Sequence, residues 1–295
     1  MIIASPRKKG HERQAAALAE RLGCDTTVRL AADVARDIAA AAAYDLVLAA
    51  GRQSISVARV VARNGGPVVV VLQPVLWRAG LFDLIWAPAH DRAARKMHGR
   101  FNLVETLTAP CAVTPQAMSS GASALSDIDL GPPPHVGVLI GGRSRSHRFG
   151  TAETEELAAR LAAFAKTHEA TLLVTTSRRT PAAAAPVIAQ RLGPGHLVFD
   201  AHQPGGRNAA TLYPGILGLA SAFIVTNDSY AMMSEAAFTG KPIYGWRLPG
   251  GKAKFERFYT SLQDHGALRW FDGSLENWHY PPLDAAATIA DALAP

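Results

Sequence analysis

Residues 221–246 constrain the fold of this chain more than any other segment does. They open with a short apolar run, residues 222–225, which has the length and composition of a buried parallel strand. A polar turn at 226–229 supplies side chains that can cap a helix, and an Ala- and Met-rich segment then runs to Gly240. A second apolar run begins at Ile243. This order of strand, polar turn, helix and strand places a helix N-terminus at the carboxyl edge of a parallel sheet.

The start of that helix has the chemistry of a phosphate site. A helix N-terminus carries about half a positive charge and unpaired N–H groups, so it attracts anions. Asn227, Asp228 and Ser229 form the turn, and Ser234 adds a hydroxyl. Glu235 lies about 9 Å further along the helix at 1.5 Å per residue, where a carboxylate can bind ribose hydroxyls beside a diphosphate. A capped, packed helix whose glutamate faces water is the alternative interpretation.

Three other predicted strands in the second half of the chain end in similar polar residues. These candidates for nucleotide or phosphate binding are Gly141, Gly142 and Arg143 after one strand, Ser177 and Arg178 after the next, and His202 after the third. Four such loops at one sheet edge indicate a nucleotide cleft. The chain has no G-x-G-x-x-G, P-loop or G-x-S-x-G motif, which disfavours hydride transfer, ATP hydrolysis and serine-esterase chemistry.

The first half of the chain also alternates strands with helices. Apolar runs at 2–5, 45–50, 68–72 and 84–87 alternate with Ala-rich stretches, a pattern that predicts a second parallel sheet. Gly10 and His11 follow the first of these runs, whereas Arg52 and Gln73 follow the second and third. Each is a candidate for the working edge of the sheet. For His11, a helix-start histidine beside an N-terminal glutamate is the structural alternative.

The length of the chain, 295 residues, suits two domains that each bury their own core. Residues 118–135 are small, polar and proline-rich. We therefore expect an N-terminal domain at 1–120, a linker at 121–135 and a C-terminal domain at 136–295, with a return of the terminal helix to the first domain left open. The D-x-D at 127–129 has no strand before it, so we predict no metal site and no cofactor.

The charge of the chain bears on its partners. A net charge of +6 and a pI near 9.5 suit an anionic ligand or membrane surface better than nucleic acid, because the basic residues form no concentrated face. Aromatic residues at 77–86 precede a basic stretch at 92–100, which is typical either of bilayer contact or of a core hairpin followed by a solvated face. The N-terminus lacks the order of a secretory signal and no apolar run reaches about 20 residues. We expect a cytoplasmic protein, at most peripheral at the inner membrane surface.

Several motifs carry a resemblance to a known family. T-N-D-S-Y-A-M-M-S-E-A-A-F-T-G-K-P-I-Y at 226–244 resembles the nucleotide-binding segment of GT-B glycosyltransferases. Within that fold the chain is similar to the bacterial relatives of the plant elongated-mitochondria fission factor. The further motifs, in order, are G-H-E-R-Q at 10–14, A-G-R at 50–52, V-V-L-Q at 70–73, A-P-A-H-D at 87–91, L-I-G-G at 139–142, T-S-R-R-T-P at 176–181 and K-F-E-R-F at 254–258.

The resemblance implies two Rossmann-like α/β domains with an interdomain cleft, a GT-B-like architecture. It further implies a nucleotide-sugar donor held by the second domain and an acceptor held by the first. In such enzymes the loop that contains Gly10 and His11 can carry the base that activates the acceptor, a task that suits the near-neutral pKa of histidine. Residues 5–8 read S-P-R-K where the family usually has an Asp-Gly pair. This departure weakens any role transferred to that loop.

The function that these observations favour is a metal-independent sugar transfer from a nucleotide-sugar. The acceptor is not identified by the sequence, and a lipid-linked one is compatible with it. Two alternatives remain open: a non-catalytic adaptor, as the role of the plant relatives in fission suggests, and a nucleotide-sugar epimerase that uses the same donor without an acceptor.

Overall fold

The computed structural model describes residues 1–5, 7, 9–125, 128–203 and 209–294. The chain divides into two compact units. The first consists of Met1–Ala112 together with Asp284–Pro295, and the second consists of Val113–Leu283. Each unit contains one six-stranded sheet whose strand pairs are all parallel, with helices in the connections. This is the α/β class that the alternation of strands and helices predicted.

The sheet of the first unit has the strand order β2-β1-β3-β4-β5-β6. Its strands are β1 (Ile2–Ser5), β2 (Thr27–Leu30), β3 (Leu46–Ala50), β4 (Val68–Leu72), β5 (Leu84–Pro88) and β6 (Leu103–Thr106). The helices between them are α1 (Lys9–Arg21), α2 (Ala31–Arg36), α3 (Ile38–Ala41), α4 (Ile55–Asn64) and α5 (Arg92–Arg95). The order changes direction between β1 and β3, so the switch point of this sheet lies at the carboxyl ends of those two strands.

The sheet of the second unit has the order β12-β11-β10-β7-β8-β9, the doubly wound arrangement of a Rossmann domain. Its strands are β7 (His135–Leu139), β8 (Thr171–Thr175), β9 (Leu197–Phe199), β10 (Ala222–Thr226), β11 (Ile243–Trp246) and β12 (Leu268–Trp270). The helices are α6 (Pro115–Leu125), α7 (Thr151–Thr167), α8 (Ala184–Leu192), α9 (Ala209–Leu219), α10 (Tyr230–Ala237) and α11 (Ala253–Asp264). Its switch point lies between β7 and β10.

The central strands of the second sheet are buried on both faces. Along β10, Phe223 and Val225 pack into one hydrophobic cluster, whereas Ala222 and Ile224 pack into the cluster on the opposite face. A strand covered by helices on both sides needs apolar residues at successive positions, since side chains alternate between the faces. This requirement explains the continuous apolar run that marks the strand in the sequence.

The change from one unit to the other lies between Ala112 and Val113, before the segment predicted as a linker. Residues 121–125 of that segment are helical and belong to α6, which packs on α9. A β-carbon on Gly121 would lie 2.5 Å from the backbone nitrogen of Gly215, so the two backbones approach closely. The small residues that suggested a linker are those that such a close helix crossing requires. Asp127 of the D-x-D lies outside the described residues.

The terminal helix, α12 (Ala285–Asp291), belongs to the first unit, where it packs against α1. Asp284 caps this helix by accepting from the backbone N–H of Ala287 at 2.9 Å, and it also accepts a hydrogen bond from Arg21 of α1. Within the described part of the chain, no helix is long and apolar enough to cross a membrane.

Candidate functional site

Asp228 joins three loops at the switch point of the second sheet. It follows β10, and its side chain is fully buried. Oδ2 accepts a hydrogen bond from the backbone N–H of Gly142 at 2.8 Å and pairs with Nη1 of Arg179 at 2.8 Å. Oδ1 accepts from the hydroxyl of Thr226 at 2.8 Å. The Arg179 side chain remains 43% exposed, so a buried carboxylate orients a cation that is open to solvent.

The two glycines after β7 allow close approach of chain to chain. The Gly141 N–H donates to the Thr226 hydroxyl at 2.7 Å, and a β-carbon on Gly141 would overlap the Asp228 carboxylate. A β-carbon on Gly142 would overlap the backbone of Arg179. The sequence predicted that these glycines bind phosphate through their backbone. In the structure both N–H groups are bonded within the protein, because Thr226 at the end of β10 and Asp228 just after it accept them.

The loop after β8 is held by its own side chains. Ser177 donates through its hydroxyl to the Gly141 carbonyl at 2.6 Å, and its backbone N–H donates to the Thr180 hydroxyl at 2.8 Å. Nε2 of His202 lies 2.8 Å from the Thr180 carbonyl, to which it donates. Ser177 and His202, two candidates from the sequence, therefore hold the loop in place. Arg178 is exposed and makes no ion pair with any residue that the structure describes.

The turn before α10 is largely buried. Ser229 caps the helix by accepting from the Met232 N–H at 3.4 Å, which agrees with the predicted helix start. Asn227 accepts from the Leu248 N–H at 2.9 Å, a bond that ties the turn to the segment after β11. Ser234 is 1% exposed and donates to the Tyr230 carbonyl at 2.9 Å. Asn227 and Ser234 thus have structural partners, whereas the α10 N-terminus still lies at the sheet edge.

Glu235 is half-buried on α10 and has a partner that the sequence did not indicate. The Tyr213 hydroxyl, on α9, donates to Glu235 Oε2 at 2.5 Å. A phenol donor fixes the orientation of the carboxylate. Asn208, which the sequence places just before α9, lies outside the described residues.

The β7–α7 loop, residues 140–150, borders a cavity of about 470 Å³. The cavity is lined by Arg143, Ser144, His147, Arg148, Phe149, Gly150 and Glu153. His147 is only 2% exposed, and burial lowers the pKa of its ring. Of these residues, only Arg143 was among the sequence candidates. The arginine-rich motif R-S-R-S-H-R after the glycines is the signal that could have indicated the others.

At the switch point of the first sheet, His11 lies against Gly51. A β-carbon on Gly51 would be 2.9 Å from Cδ2 of the His11 ring, and Gly51 has a φ of +84° that favours glycine. Nδ1 of His11 is buried and has no hydrogen-bond partner among the described residues. The neighbouring Glu12 accepts from the Ser5 hydroxyl. The imidazole therefore lies where the sequence predicted a working edge.

The other acceptor-side candidates are less enclosed. Gly10 and Arg52 are exposed, and Gln73 is half-buried directly after β4. A β-carbon on Gly10 would meet no atom of a described residue within 4 Å. Among the described residues, no group of three or more His, Cys, Asp and Glu side chains is arranged to hold a metal ion.

Comparison with known families places this chain. The family model described as mitochondrial fission ELM1 matches residues 9–294. The chain belongs to this family. A relative from Arabidopsis thaliana, mitochondrial fission protein ELM1, is 31% identical over 269 residues. That match covers 82% of the present chain and 61% of the length of the plant protein. The ELM1 family is the one that the sequence motifs suggested.

Solved structures show the fold that this member of the ELM1 family shares. A candidate UDP-N-acetylglucosamine 2-epimerase from Listeria monocytogenes matches with a TM-score of 0.57 at 12% identity, over 99% of this chain and 87% of that one. The ADP-heptose LPS heptosyltransferase II of E. coli matches with a TM-score of 0.51 at 13% identity, over 99% of this chain and 96% of that one. The two-domain, GT-B-like fold predicted from the sequence is confirmed.

Proposed function

We propose that this protein binds a nucleoside diphosphate sugar at the carboxyl edge of its second sheet and transfers the sugar without a metal ion. The observation that carries the proposal is the pairing of Arg179 with Asp228 at the switch point, where sheets of this kind bind their ligands. The names of two proteins with the same fold, the Listeria candidate epimerase and the E. coli heptosyltransferase, support the same class of donor.

Arg179 supplies the charge for the diphosphate in this proposal. One guanidinium nitrogen is engaged by Asp228 and the side chain is 43% exposed, so the group is oriented before a ligand arrives. A pre-oriented guanidinium matches the geometry of phosphate oxygens. The N-terminus of α10, capped by Ser229, adds its partial positive charge at the same edge. Together these two charges replace the role that a metal has in other transferases.

Glu235 takes the ribose hydroxyls in this proposal. Its carboxylate lies on α10 beyond the helix start, held by Tyr213 through a bond of 2.5 Å. A carboxylate at this position accepts from the two ribose hydroxyls, and its distance along the helix separates it from the phosphates.

The first unit supplies the acceptor side, with His11 as the base. A neutral imidazole nitrogen accepts the proton of an acceptor hydroxyl as the hydroxyl oxygen bonds to the anomeric carbon of the sugar. The bond between that carbon and the diphosphate oxygen breaks, and the nucleoside diphosphate leaves with its pair of electrons. The buried Nδ1 of His11, without a partner among the described residues, fits a ring whose hydrogen bonding is completed by substrate. Gly10, Arg52 and Gln73 would orient the acceptor.

A lipid-linked acceptor and a peripheral contact with an anionic bilayer extend the proposal. Trp77 is 63% exposed and Phe101 is 91% exposed. Their two loops are joined by Asn102, whose Nδ2 donates to the carbonyls of Ala79 at 2.9 Å and Phe82 at 2.8 Å. Exposed basic residues lie nearby in the sequence, at positions 92, 95, 96 and 100. Exposed aromatic and basic side chains in combination suit the interface of an anionic membrane. Phe82 and Trp86, by contrast, are buried in the core.

Epimerisation is the second candidate function. It is supported by the name of the Listeria protein, a candidate UDP-N-acetylglucosamine 2-epimerase with the same fold. An epimerase would use the same donor site and would need no acceptor, so the proposed roles of Arg179 and Glu235 are common to both reactions. Turnover of a nucleotide-sugar without any added acceptor would favour epimerisation.

Two neighbouring arginines provide the test. Calorimetric titration of wild type, Arg179→Gln and Arg178→Gln with UDP, ADP and GDP compares a cation oriented by Asp228 with an exposed one of equal charge. We expect at least one nucleotide to bind, with affinity reduced about tenfold or more in Arg179→Gln and less than about threefold in Arg178→Gln. Thermal unfolding of each variant checks that the fold is intact, since Arg179→Gln removes the ion-pair partner of the buried Asp228.

The outcomes separate the candidates. Failure of all nucleoside diphosphates to bind the wild-type protein would overturn the proposal. Binding without turnover across a panel of nucleotide-sugars and acceptors would instead favour a non-catalytic adaptor.

A further inference from the structure

The β7–α7 loop concentrates positive charge that the protein itself does not neutralise. Arg143, Arg145 and Arg148 are all exposed, and none of the three forms an ion pair with a residue that the structure describes. The loop leads directly into α7, a helix of 17 residues whose N-terminus adds partial positive charge. Three unpaired cations in six residues indicate an anionic partner.

Two of these arginines, Arg143 and Arg148, line the cavity of about 470 Å³, whereas Arg145 does not. The single acidic residue in the lining is Glu153, and its carboxylate already accepts the N–H of Gly150 at 2.8 Å. The lining therefore has an excess of positive charge beside the first turn of α7. The volume is sufficient for one or two phosphoryl groups.

His147 contributes a buried donor to the same cavity. The Ser144 hydroxyl oxygen accepts the backbone N–H groups of Ser146 at 3.2 Å and His147 at 3.1 Å, and it lies 3.3 Å from Nδ1 of the His147 ring. Because its oxygen already accepts two hydrogen bonds, the hydroxyl donates its proton to Nδ1. The ring proton of a neutral imidazole must then lie on Nε2. That nitrogen is buried and has no partner among the described residues.

A buried N–H without an acceptor is unfavourable unless a ligand supplies one. The ring is kept neutral chiefly by burial, which lowers the pKa of His147; Arg179 lowers it further, while Asp228 and Glu256 act in the opposite direction. A neutral imidazole is a donor through Nε2 and needs no counter-charge of its own. Phosphoryl oxygens are acceptors only, so they complement this donor.

Backbone hydrogen bonds hold the loop where it carries these groups. Arg148 donates its backbone N–H to the Pro249 carbonyl at 2.9 Å, and Gly251 donates to the Ser146 carbonyl at 2.7 Å. Gly250 has a φ of +108°, and its lack of a side chain lets the Ser146 carbonyl approach closely. The segment after β11 is thus hydrogen-bonded to the loop. Binding of a phosphoryl group there would need little further ordering of the backbone.

The loop also adjoins the switch point. The N–H of Arg143 donates to the Arg179 carbonyl at 3.1 Å, so the backbone that carries Arg143 and the backbone that carries Arg179 are bonded together. Arg179 is therefore bonded through its backbone to Arg143, a residue of the cavity lining.

We propose that the β7–α7 loop is a phosphate-binding subsite in which His147 donates from Nε2 and Arg143 and Arg148 supply the charge. The subsite deepens the proposed function, since it would hold a phosphoryl group of the same donor, and for the identity of that donor it rests on the nucleotide proposal. The phosphate chemistry itself requires no nucleoside. Inorganic diphosphate can therefore test it separately.

Arg145 provides a matched control for the two cavity arginines, because it carries equal charge on the same loop but does not line the cavity. Calorimetric titration with inorganic diphosphate at low ionic strength compares wild type with Arg143→Gln, Arg148→Gln and Arg145→Gln. We expect about tenfold weaker binding for each of the first two and less than about twofold for the control. Equal losses in all three variants would overturn the subsite and indicate a diffuse electrostatic effect.

His147 is tested by two substitutions and by direct observation. His147→Gln keeps an N–H donor near the Nε2 position, whereas His147→Leu removes it, so diphosphate binding should weaken by about tenfold in the leucine variant and less in the glutamine variant. If the leucine variant does not fold, the imidazole ¹⁵N–¹H resonances of wild type decide. We expect a proton on Nε2 whose shift changes on addition of diphosphate and not on addition of equal potassium chloride. A proton on Nδ1, or an unmoved signal at saturation, would contradict the proposal.

The two proposals fail separately. If UDP does not bind but diphosphate shows the predicted pattern, the nucleotide proposal falls and the subsite remains. If UDP binding depends on Arg179 while diphosphate binds the cavity variants as it binds wild type, the subsite falls and the nucleotide proposal remains.

Discussion

Tyr213 on α9 donates a hydrogen bond of 2.5 Å to Oε2 of Glu235 on α10, so two helices position one carboxylate. This relationship sharpens the test of the ribose site. Glu235→Gln retains the volume and an acceptor for the phenol, but it removes the negative charge. We expect ribonucleoside diphosphate binding to weaken about tenfold or more, since hydrogen bonds to a charged partner contribute about 1.5–3 kcal/mol. Isothermal titration calorimetry measures the change.

A 2′,3′-dideoxy nucleotide is the control for Glu235. It lacks the two hydroxyls, so it should bind wild type and Glu235→Gln about equally. The free energy of unfolding should change by less than about 1 kcal/mol, because the hydrogen bond from Tyr213 persists. If wild type binds the ribose and dideoxyribose forms equally well, Glu235 has no ribose role.

His11 should affect turnover rather than donor affinity. His11→Asn removes the base but keeps a small polar side chain against Gly51. We expect kcat to fall by about 10²–10⁴, the usual contribution of a general base, with the Kd for the nucleotide-sugar within about twofold of wild type. Steady-state kinetics with titration of the donor measure both quantities. An unchanged kcat would remove His11 from the mechanism.

Gly141 should tolerate no side chain. A β-carbon there would overlap the buried Asp228 carboxylate, so Gly141→Ala must displace the group that holds Gly142 and Arg179. We expect the free energy of unfolding in urea to fall by about 1–3 kcal/mol, as for other overpacked sites. Gly80→Ala is the control, since a β-carbon on Gly80 would meet no atom within 4 Å in the described part of the chain. Equal stability of the two variants would contradict the packing at the switch point.

Stability should decrease on mild acidification because of His147. Burial lowers the pKa of its ring below the ordinary 6.5, so the unfolded chain binds a proton at a pH where the folded protein does not. The stabilisation is therefore complete above about pH 6.5 and is lost as the pH falls towards the folded pKa. We expect the free energy of unfolding, measured in urea between about pH 7.5 and about pH 5, to change less steeply with pH in His147→Gln than in wild type. Burial also lowers the pKa of His196. Urea unfolding of His196→Gln over the same pH range therefore provides a comparison. Identical slopes for wild type and His147→Gln would show that His147 does not titrate in this range.

Chelation tests the metal-independent reaction. We expect excess EDTA to leave nucleotide binding and turnover unchanged, because Arg179 and the α10 N-terminus supply the positive charge in the proposed site. Activity that disappears in EDTA and returns with magnesium or manganese would overturn this part of the proposal.

The sequence by itself determined the α/β architecture and indicated the carboxyl edge of the second sheet as the place of the candidate site. Apolar runs such as 222–225 predict parallel strands because both faces of a central strand are buried, and the capping residue Ser229 predicts the start of α10 after the strand end. The family motifs are likewise short runs of neighbouring residues, so they too can be recognised without the tertiary structure. Edge strands were harder to predict: β2 has two exposed residues, Thr27 and Val28, and lacks the continuous apolar signal.

Only the tertiary structure decided which polar residues at that edge are partners of one another. Asp228 and Gly142 are 86 residues apart in the chain, and the bond between them exists because β7 and β10 are neighbours in the sheet. The same long-range pairing selects Arg179 over the adjacent Arg178 and brings Tyr213 to Glu235. Local sequence patterns report propensity and burial, whereas hydrogen-bond partners depend on distances of a few ångströms that strand order and helix packing set.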